Sequence, residues 1–260
     1  MTVNQELVFT NLFTFHNVEV NKIVLEKGKI YDDPEIVRFD NSTFYLIQGK
    51  INILSRDEML STASNVTLNS GNITEVKLTE HKNVMIKSLE DSIFIQILWN
   101  GKSERVLPIN QIQGKQWGKT TKIFDNINIE IHKMDCLKDG YCSEHKHKHK
   151  YNMFHVVDGE LKITEFLDKY DDITYIKDGE SCQVSPEIYH KFEVVKDTIA
   201  LEIYWTELSA SDIERRSSGG MVESKEKVNS LKQCKCEKTF EENNNYLKLD
   251  KDERLYNMKS

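Results

Sequence analysis

The chain is 260 residues long and carries 35 lysines and arginines against 42 acidic residues, a formal net charge of −7. That length suits one large or two modest domains, and the acidic balance argues against a phosphate backbone, hence nucleic acid, as the main partner. No window offers the roughly eighteen consecutive apolar residues of a membrane-spanning helix, so no membrane partner is expected either.

From the N-terminus, Met1 to Phe13 holds Glu6, lacks Lys and Arg, and has no apolar run long enough for a signal-peptide core, which predicts a cytoplasmic protein. Short runs rich in Ile, Val, Phe and Tyr then dominate: Lys22–Leu25, Phe44–Leu54, Val84–Ile86, Ile93–Trp99, Ile127–Ile131, Phe154–Ile163, Phe192–Val195 and Ile199–Trp205. Many alternate with polar residues, and turn signals such as Glu26-Lys27-Gly28, Asn69-Ser70-Gly71, Lys138-Asp139-Gly140 and Lys177-Asp178-Gly179 separate them. No stretch before Ser209 keeps a helical apolar period. The pattern predicts an all-β chain of mostly antiparallel strands, folded as a sandwich or barrel. After Trp205 the character changes. Ser211-Asp-Ile-Glu214 has capping-box spacing and Gly219-Gly220 would stop the helix it opens, so a short helix is expected there. Beyond Met221 the Lys-, Glu- and Asn-rich sequence predicts a loose polar tail. Cys136, Cys142, Cys182, Cys234 and Cys236 are odd in number and irregular in spacing, which fits free thiols better than a disulfide framework.

The chain also repeats itself. Asp91-Ser-Ile-Phe-Ile-Gln-Ile-Leu-Trp99 matches Asp197-Thr-Ile-Ala-Leu-Glu-Ile-Tyr-Trp205 at a shift of 106 residues. Upstream, Phe15–Val18 falls against Phe124–Ile127, Gly28 against Gly140, Phe44–Gly49 against Phe154–Gly159, Gly71 against Gly179, and His81 against His190. Matches in one order at a nearly constant offset imply a duplicated unit of about 100 residues, a common domain size. Pro108, Gly114 and Gly118 mark the join.

The densest chemical signal is Glu144-His-Lys-His-Lys-His-Lys150. In an extended strand, alternation sends His145, His147 and His149 to one face, and imidazoles at i and i+2 can reach one divalent ion if a third ligand arrives from elsewhere. A solvated basic turn that takes up metal adventitiously is the competing reading. The second half of the constellation is a turn, a short strand and a histidine opening another β run: Gly179, Pro186, His190.

Residues 124–205 resemble a cupin. Gly140…His145-x-His147-x4-Asn152-x6-Gly159 is similar to the first cupin motif and Gly179-x6-Pro186-x3-His190 to the second. The resemblance implies a small jelly-roll β-barrel with a metal inside, and, by position, the ligands His145, His147 and His190. The family's glutamate position falls on Asn152, a weaker neutral donor. His149 can substitute for the missing donor or act as an acid–base group at the mouth. In the first repeat Glu35, Val37 and Ser42 fall on the ligand positions, so that copy is expected to be metal-free and the whole to resemble a bicupin. The expected domains are 1–105, a degenerate cupin-like barrel; 106–120, a linker; 121–208, a metal-binding barrel; and 209–260, a short helix and flexible tail. His16, His81 and His132 are expected to have no ligand role.

Strand alternation places Phe192 and Val194 inward with His190, and puts Ala200, Glu202 and Tyr204 on one face with Leu201, Ile203 and Trp205 on the other. Glu202 is therefore a candidate acid or base, against the commoner fate of a solvated or ion-paired carboxylate. Tyr151 and Tyr189 flank the motifs as candidate donors at the mouth. Cys142 and Cys182 show no activating neighbour, and Cys234 with Cys236 lacks the partners that complete a zinc shell. The fold hosts many chemistries. The leading expectation is a metal-dependent enzyme, using Fe, Mn, Ni, Co or Zn, that isomerises or epimerises a carbohydrate or sugar-derived acid. The alternatives are a three-histidine non-haem iron dioxygenase and a non-catalytic small-molecule binder; a homodimer is compatible with each. Metal retention is expected to weaken as pH falls through about 6.5, where free imidazole protonates.

Overall fold

The computed structural model describes residues 7–32, 38–57, 62–78, 82–101, 112–126, 128–206 and 211–222. The first half supplies β1 (Leu7–Phe15), β2 (Val18–Leu25), β3 (Ile30–Asp32), β4 (Asn41–Gln48), β5 (Lys50–Asp57), β6 (Thr62–Asn69), β7 (Ile73–Lys77), β8 (Lys82–Ser88) and β9 (Ser92–Trp99). They form two antiparallel sheets, ordered β1-β2-β9-β4-β7 and β3-β8-β5-β6. The second half supplies β10 (Ile112–Lys115), β11 (Gly118–Asp125), β12 (Ile129–Cys136), β13 (Gly140–Tyr141), β14 (His145–Lys146), β15 (Tyr151–Phe166), β16 (Asp171–Lys177), β17 (Ser181–Val184), β18 (Tyr189–Trp205) and β19 (Glu214–Arg215). Here the long strand β18 is the hub, pairing antiparallel with β12, β13, β14 and β15. The chain is all-β, and no α-helix forms among the described residues. No helix among them is long and apolar enough to cross a membrane.

Alternation along the strands divides the apolar residues among three cores. One fills the first barrel with Ile23, Phe44, Leu46, Ile53, Ile86 and Phe94. A second fills the other barrel with Met134, Phe154, Leu161, Phe192, Val194 and Ala200. The third joins the halves, packing Val18, Ile95, Ile97 and Trp99 against Ile129, Ile131, Leu201, Ile203 and Trp205. Each fully buried Ile, Leu or Phe contributes about 1.5–3 kcal/mol, so this shared layer strongly favours association of the two halves. It also explains why the face of β18 turned away from its own barrel is apolar: Leu201, Ile203 and Trp205 face the other barrel while Ala200 faces inward.

The duplication is visible in the backbone. Gly49 and Gly159 both have positive φ, +86° and +108°, where an added Cβ would meet the carbonyl oxygens of Asp91 and Asp197 at 2.3 and 2.5 Å. Gly71 N–H donates to Leu46 O at 2.8 Å, as Gly179 N–H does to Val156 O at 2.9 Å. Two of the sequence matches shift. Lys27 N–H and Lys138 N–H donate to Asp91 and Asp197 Oδ1, at 2.9 and 2.7 Å, which sets Gly28 against Asp139 rather than Gly140. Both take the left-handed conformation, at φ 84° and 67°, and Asp is among the few non-Gly residues that tolerate it. Val18 and Ile129 sit opposite Trp99 and Trp205, so Val18 matches Ile129 and not Ile127.

Two expected elements differ. Within the segment taken as a linker, residues 112–120, β10 and the start of β11 form a hairpin, because Gly118 lets the chain pass close to β12: a Cβ there would lie 2.0 Å from Asp135 O. The expected short helix after Ser209 is absent. Ser211–Ile213 forms a turn, and Glu214–Arg215 pairs as β19 with His145–Lys146, a tertiary pairing that outweighs the local capping-box spacing. The calls on Glu35, Val37, His81, Cys234, Cys236 and most of the C-terminal tail lie outside the described residues.

Candidate metal centre

Three histidines arrive on different routes. His145 opens β14 and pairs directly across to His190 at the start of β18. His147 follows where the strand ends. All three are buried, at 6%, 2% and 1% exposure for His145, His147 and His190. Their ring centroids are 4.5 to 5.6 Å apart, and one ligand atom from each lies within 4.8 Å of the others.

The hydrogen bonds fix the tautomers. Nδ1 of His145, His147 and His190 faces the backbone oxygens of Ser143, Asp212 and Ile188 at 2.7, 2.7 and 3.0 Å. A carbonyl only accepts, so Nδ1 carries the proton and Nε2 keeps its lone pair. The Nε2 atoms of His147 and His190 are buried and have no hydrogen-bond partner. Such atoms are rare in interiors unless something unseen satisfies them, and a divalent ion fits both their chemistry and their convergence. Burial, reinforced by the neighbouring His190, pushes His145 down to about 3. Burial lowers His147 to about 4 and His190 also below its ordinary value. Neutral imidazoles, the form that binds metal, are thus favoured across the physiological range.

The tract does not stay extended through His149. Asp212 draws it into a turn by accepting the backbone N–H groups of Lys148, His149 and Lys150 at 2.6, 3.0 and 3.1 Å. Burial would raise the Asp212 carboxyl, but these three donors hold it below the usual range. The expected shared face is therefore corrected. His145 and His147 turn inward while His149 is exposed and outside the cluster.

Asn152 is buried on β15, donates from Nδ2 to Glu202 Oε1 at 3.1 Å, and leaves Oδ1 buried without a partner. Glu202 is half-buried on β18, with Tyr204 two residues along the same face. Across the strand pair stand His132 opposite Glu202 and Glu130 opposite Tyr204. His132 Nε2 lies 2.8 Å from Glu130 Oε1, and Lys122 Nζ lies 2.9 Å from the same atom. Burial raises the Glu130 carboxyl, but His132 and Lys122 outweigh it and hold it at about 2. Burial and the charge of Glu202 push the Tyr204 phenol well up, so it stays protonated. The Tyr204 ring meets His147 edge-on at 5.4 Å and lies under the Lys150 ammonium at 4.4 Å.

Among the other candidates, Tyr151 stacks on Trp205 at 5.3 Å against the core between the halves, away from the histidines. Tyr189 donates to the Glu214 carboxylate under the Arg216 guanidinium. Burial raises the thiols of Cys142 and Cys182, to about 12 and 11, which leaves them unreactive. His16 is an exposed turn residue. Sequence reasoning missed Asp212, Lys150 and the Glu130–His132 pair. Only the last had a local signal, two polar residues at i and i+2 of a strand.

No family model matches the sequence, and no curated protein matches it. Solved structures do. A Bacillus subtilis oxalate decarboxylase superposes with a TM-score of 0.55 at 11% identity, over 77% of this chain and 71% of that one. Another structure of that enzyme, a study of its Mn(II) centres, gives 0.54 at 11% identity over the same shares. The formate complex of the Lactobacillus farciminis oxalate decarboxylase gives 0.52 at 11% identity, over 83% of this chain and 84% of that one. This chain thus shares the two-barrel β fold of those oxalate decarboxylase structures.

Proposed function

We propose that this chain is a metal-dependent cupin enzyme acting on a small polar metabolite, with sugar isomerisation or epimerisation the reaction its site supports best. The observation that carries this reading is the pair of buried, partnerless Nε2 atoms of His147 and His190, with the charge of Glu202 on the same barrel's inner wall reaching His190. His145, His147 and His190 would hold a divalent ion of the Fe, Mn, Ni, Co or Zn group, with Asn152 Oδ1 as a further oxygen donor. When bound, that ion supplies a Lewis acid that polarises a carbonyl or hydroxyl.

The protein's own groups supply the proton transfers. Asn152 Nδ2 and the Tyr204 phenol both hydrogen-bond the Glu202 carboxylate and orient it to accept a proton from a substrate C–H or O–H. Glu202 can return that proton to the neighbouring carbon, and His132, held by Glu130, stands opposite Glu202 on β12. Tyr204 stays protonated and so remains a donor to the Glu202 carboxylate. His149, exposed, is assigned no step.

A second reading, a three-histidine iron dioxygenase, is favoured by the amide at Asn152 where the family pattern has a carboxylate. An aldose and ketose panel, with oxalate and small diketones added, separates the two. Isomerised sugar without oxygen uptake supports the first, and oxygen consumption with ferrous iron the second. A wild type whose metal content and turnover match those of a His147→Ala/His190→Ala variant would overturn both. Ligand-induced thermal stabilisation with no product would point to a non-catalytic binder.

A further inference from the structure

Lys150 is the one lysine that is buried among the described residues, at 9% exposure. Its backbone N–H is anchored on Asp212 at 3.1 Å. Its ammonium lies 4.4 Å from the Tyr204 ring centroid, and among the described residues it has no hydrogen-bond or ion-pair partner. Other lysines of this half are matched: Lys122 with Asp125 and Glu130, Lys133 with Asp135, Lys146 with Glu187 and Lys162 with Glu193. The carboxylates whose charge reaches Lys150 are Glu130, Glu202 and Asp212. Each is engaged elsewhere: Glu130 with Lys122 and His132, Glu202 with Asn152 and Tyr204, and Asp212 with three backbone N–H groups.

A cation withdrawn from water without a counter-charge is unfavourable, and the face of one aromatic ring offsets only part of that. Tyr204 also touches His147, so the unmatched ammonium and the three-histidine cluster border the same wall. We propose that Lys150 is the substrate-recognition residue of the second barrel and that the metabolite it selects carries a carboxylate. This rests on the reading of the site as a metal-dependent enzyme and names its substrate class. One ammonium matches the single charge of a carboxylate. A phosphate dianion calls for further donors, and Lys122 is already committed.

The test is calorimetric titration of the metal-loaded full chain with two matched pairs, D-glucuronate against D-glucose and glycolate against ethylene glycol. In each pair the partners differ in the carboxylate. The acid is expected to bind on the order of tenfold or more tightly in the wild type. Lys150→Met should erase that gap with metal content unchanged, and Lys150→Arg should keep part of it. The wild-type comparison needs no variant, so a Lys150→Met chain that fails to fold leaves it decisive. Absence of a carboxylate preference in both pairs, or a gap that survives in Lys150→Met, overturns the assignment. Metal analysis of the same samples separates the two levels. A chain that holds its ion but shows no gap loses only the carboxylate assignment, whereas a chain that takes up no ion loses the metal-enzyme reading as well.

Discussion

Gln96 in the first barrel and Glu202 in the second occupy the same place. Gln96 pairs with Asn21 on one side and Phe44 on the other, as Glu202 does with His132 and Phe154. Two residues along, Leu98 lies between Glu19 and Ser42 where Tyr204 lies between Glu130 and Asn152. Even the cross-links correspond: Asn21 Nδ2 donates to Glu19 at 2.9 Å, and His132 Nε2 lies 2.8 Å from Glu130. Strand pairing, turns and the shared apolar layer are common to both barrels. The chemistry is not. In the first barrel an amide, a leucine and a serine stand where the second has a carboxylate, a phenol and an amide. The frame fixes where a group sits, and a few side chains decide which polar groups line each interior.

The largest expected effect comes from copying the first barrel into the second at that place. Glu202→Gln keeps shape and the Asn152 contact but removes the proton acceptor. Turnover should fall about 10²- to 10⁴-fold, the range typical of a positioned general base, with metal content unchanged. The reverse swap, Gln96→Glu, should leave turnover as it is. A Glu202→Gln enzyme of wild-type kcat ends the assignment of that residue.

Next in size is the metal. His147→Ala removes one of three ligands and should lower affinity for a divalent ion by more than about 100-fold, since even outer-shell changes cost 10- to 100-fold. Ser42→Ala, at the first barrel's counterpart of Asn152, should change nothing. Elemental analysis of tag-free protein is expected to give one ion per chain. Two ions per chain would show the first barrel to be loaded as well.

The parts of this comparison that were legible in the sequence were those set by strict local spacing. His145, His147 and His190 fall out of motif spacing plus the repeat, and Glu202 out of alternation along a long, regular strand. His149 was misplaced because alternation presumes an extended chain, and the carboxylate that bends this one lies 63 residues downstream. The same distance hides Asp212 itself. The missing helix is the converse case: Ser211-x-x-Glu214 is a sound local signal, but β14 offers Glu214 and Arg215 a strand partner that no local window contains. Lys150 read as one basic residue in a basic tract, because burial of a lysine is a tertiary fact.

A smaller effect follows from protons. In the metal-free chain His145 and His147 stay neutral down to about 3 and 4, whereas in the unfolded chain they titrate near 6.5. Between those values the unfolded state binds protons that the folded state refuses. Stability is therefore full above about 6.5 and falls as pH drops toward 4, by at most about 1.4 kcal/mol per pH unit for each histidine. Metal retention should extend below the pH 6.5 expected for free imidazole, because the folded site itself resists protonation. Thermal midpoints of the apo protein between pH 7 and 4.5 check this, and a flat profile, or a His147→Ala variant with an equally steep one, contradicts it.

The last test concerns the frame that the barrels share. Gly49 and Gly159 each turn the chain at positive φ with a carbonyl oxygen, of Asp91 or Asp197, where a Cβ would stand. Alanine at either place must adopt a backbone that L-residues avoid and push the carbonyl aside, so each change should destabilise by about 1–3 kcal/mol. Because the two clashes are alike, at 2.3 and 2.5 Å, the two losses should also be alike, and neither should alter metal content in the chain that remains folded. Denaturant midpoints decide it. A severe loss at Gly159 beside a silent change at Gly49 would mean that the second barrel's turn is held for the sake of its site. Equal losses mean that the turn belongs to the fold the two barrels share and not to either interior.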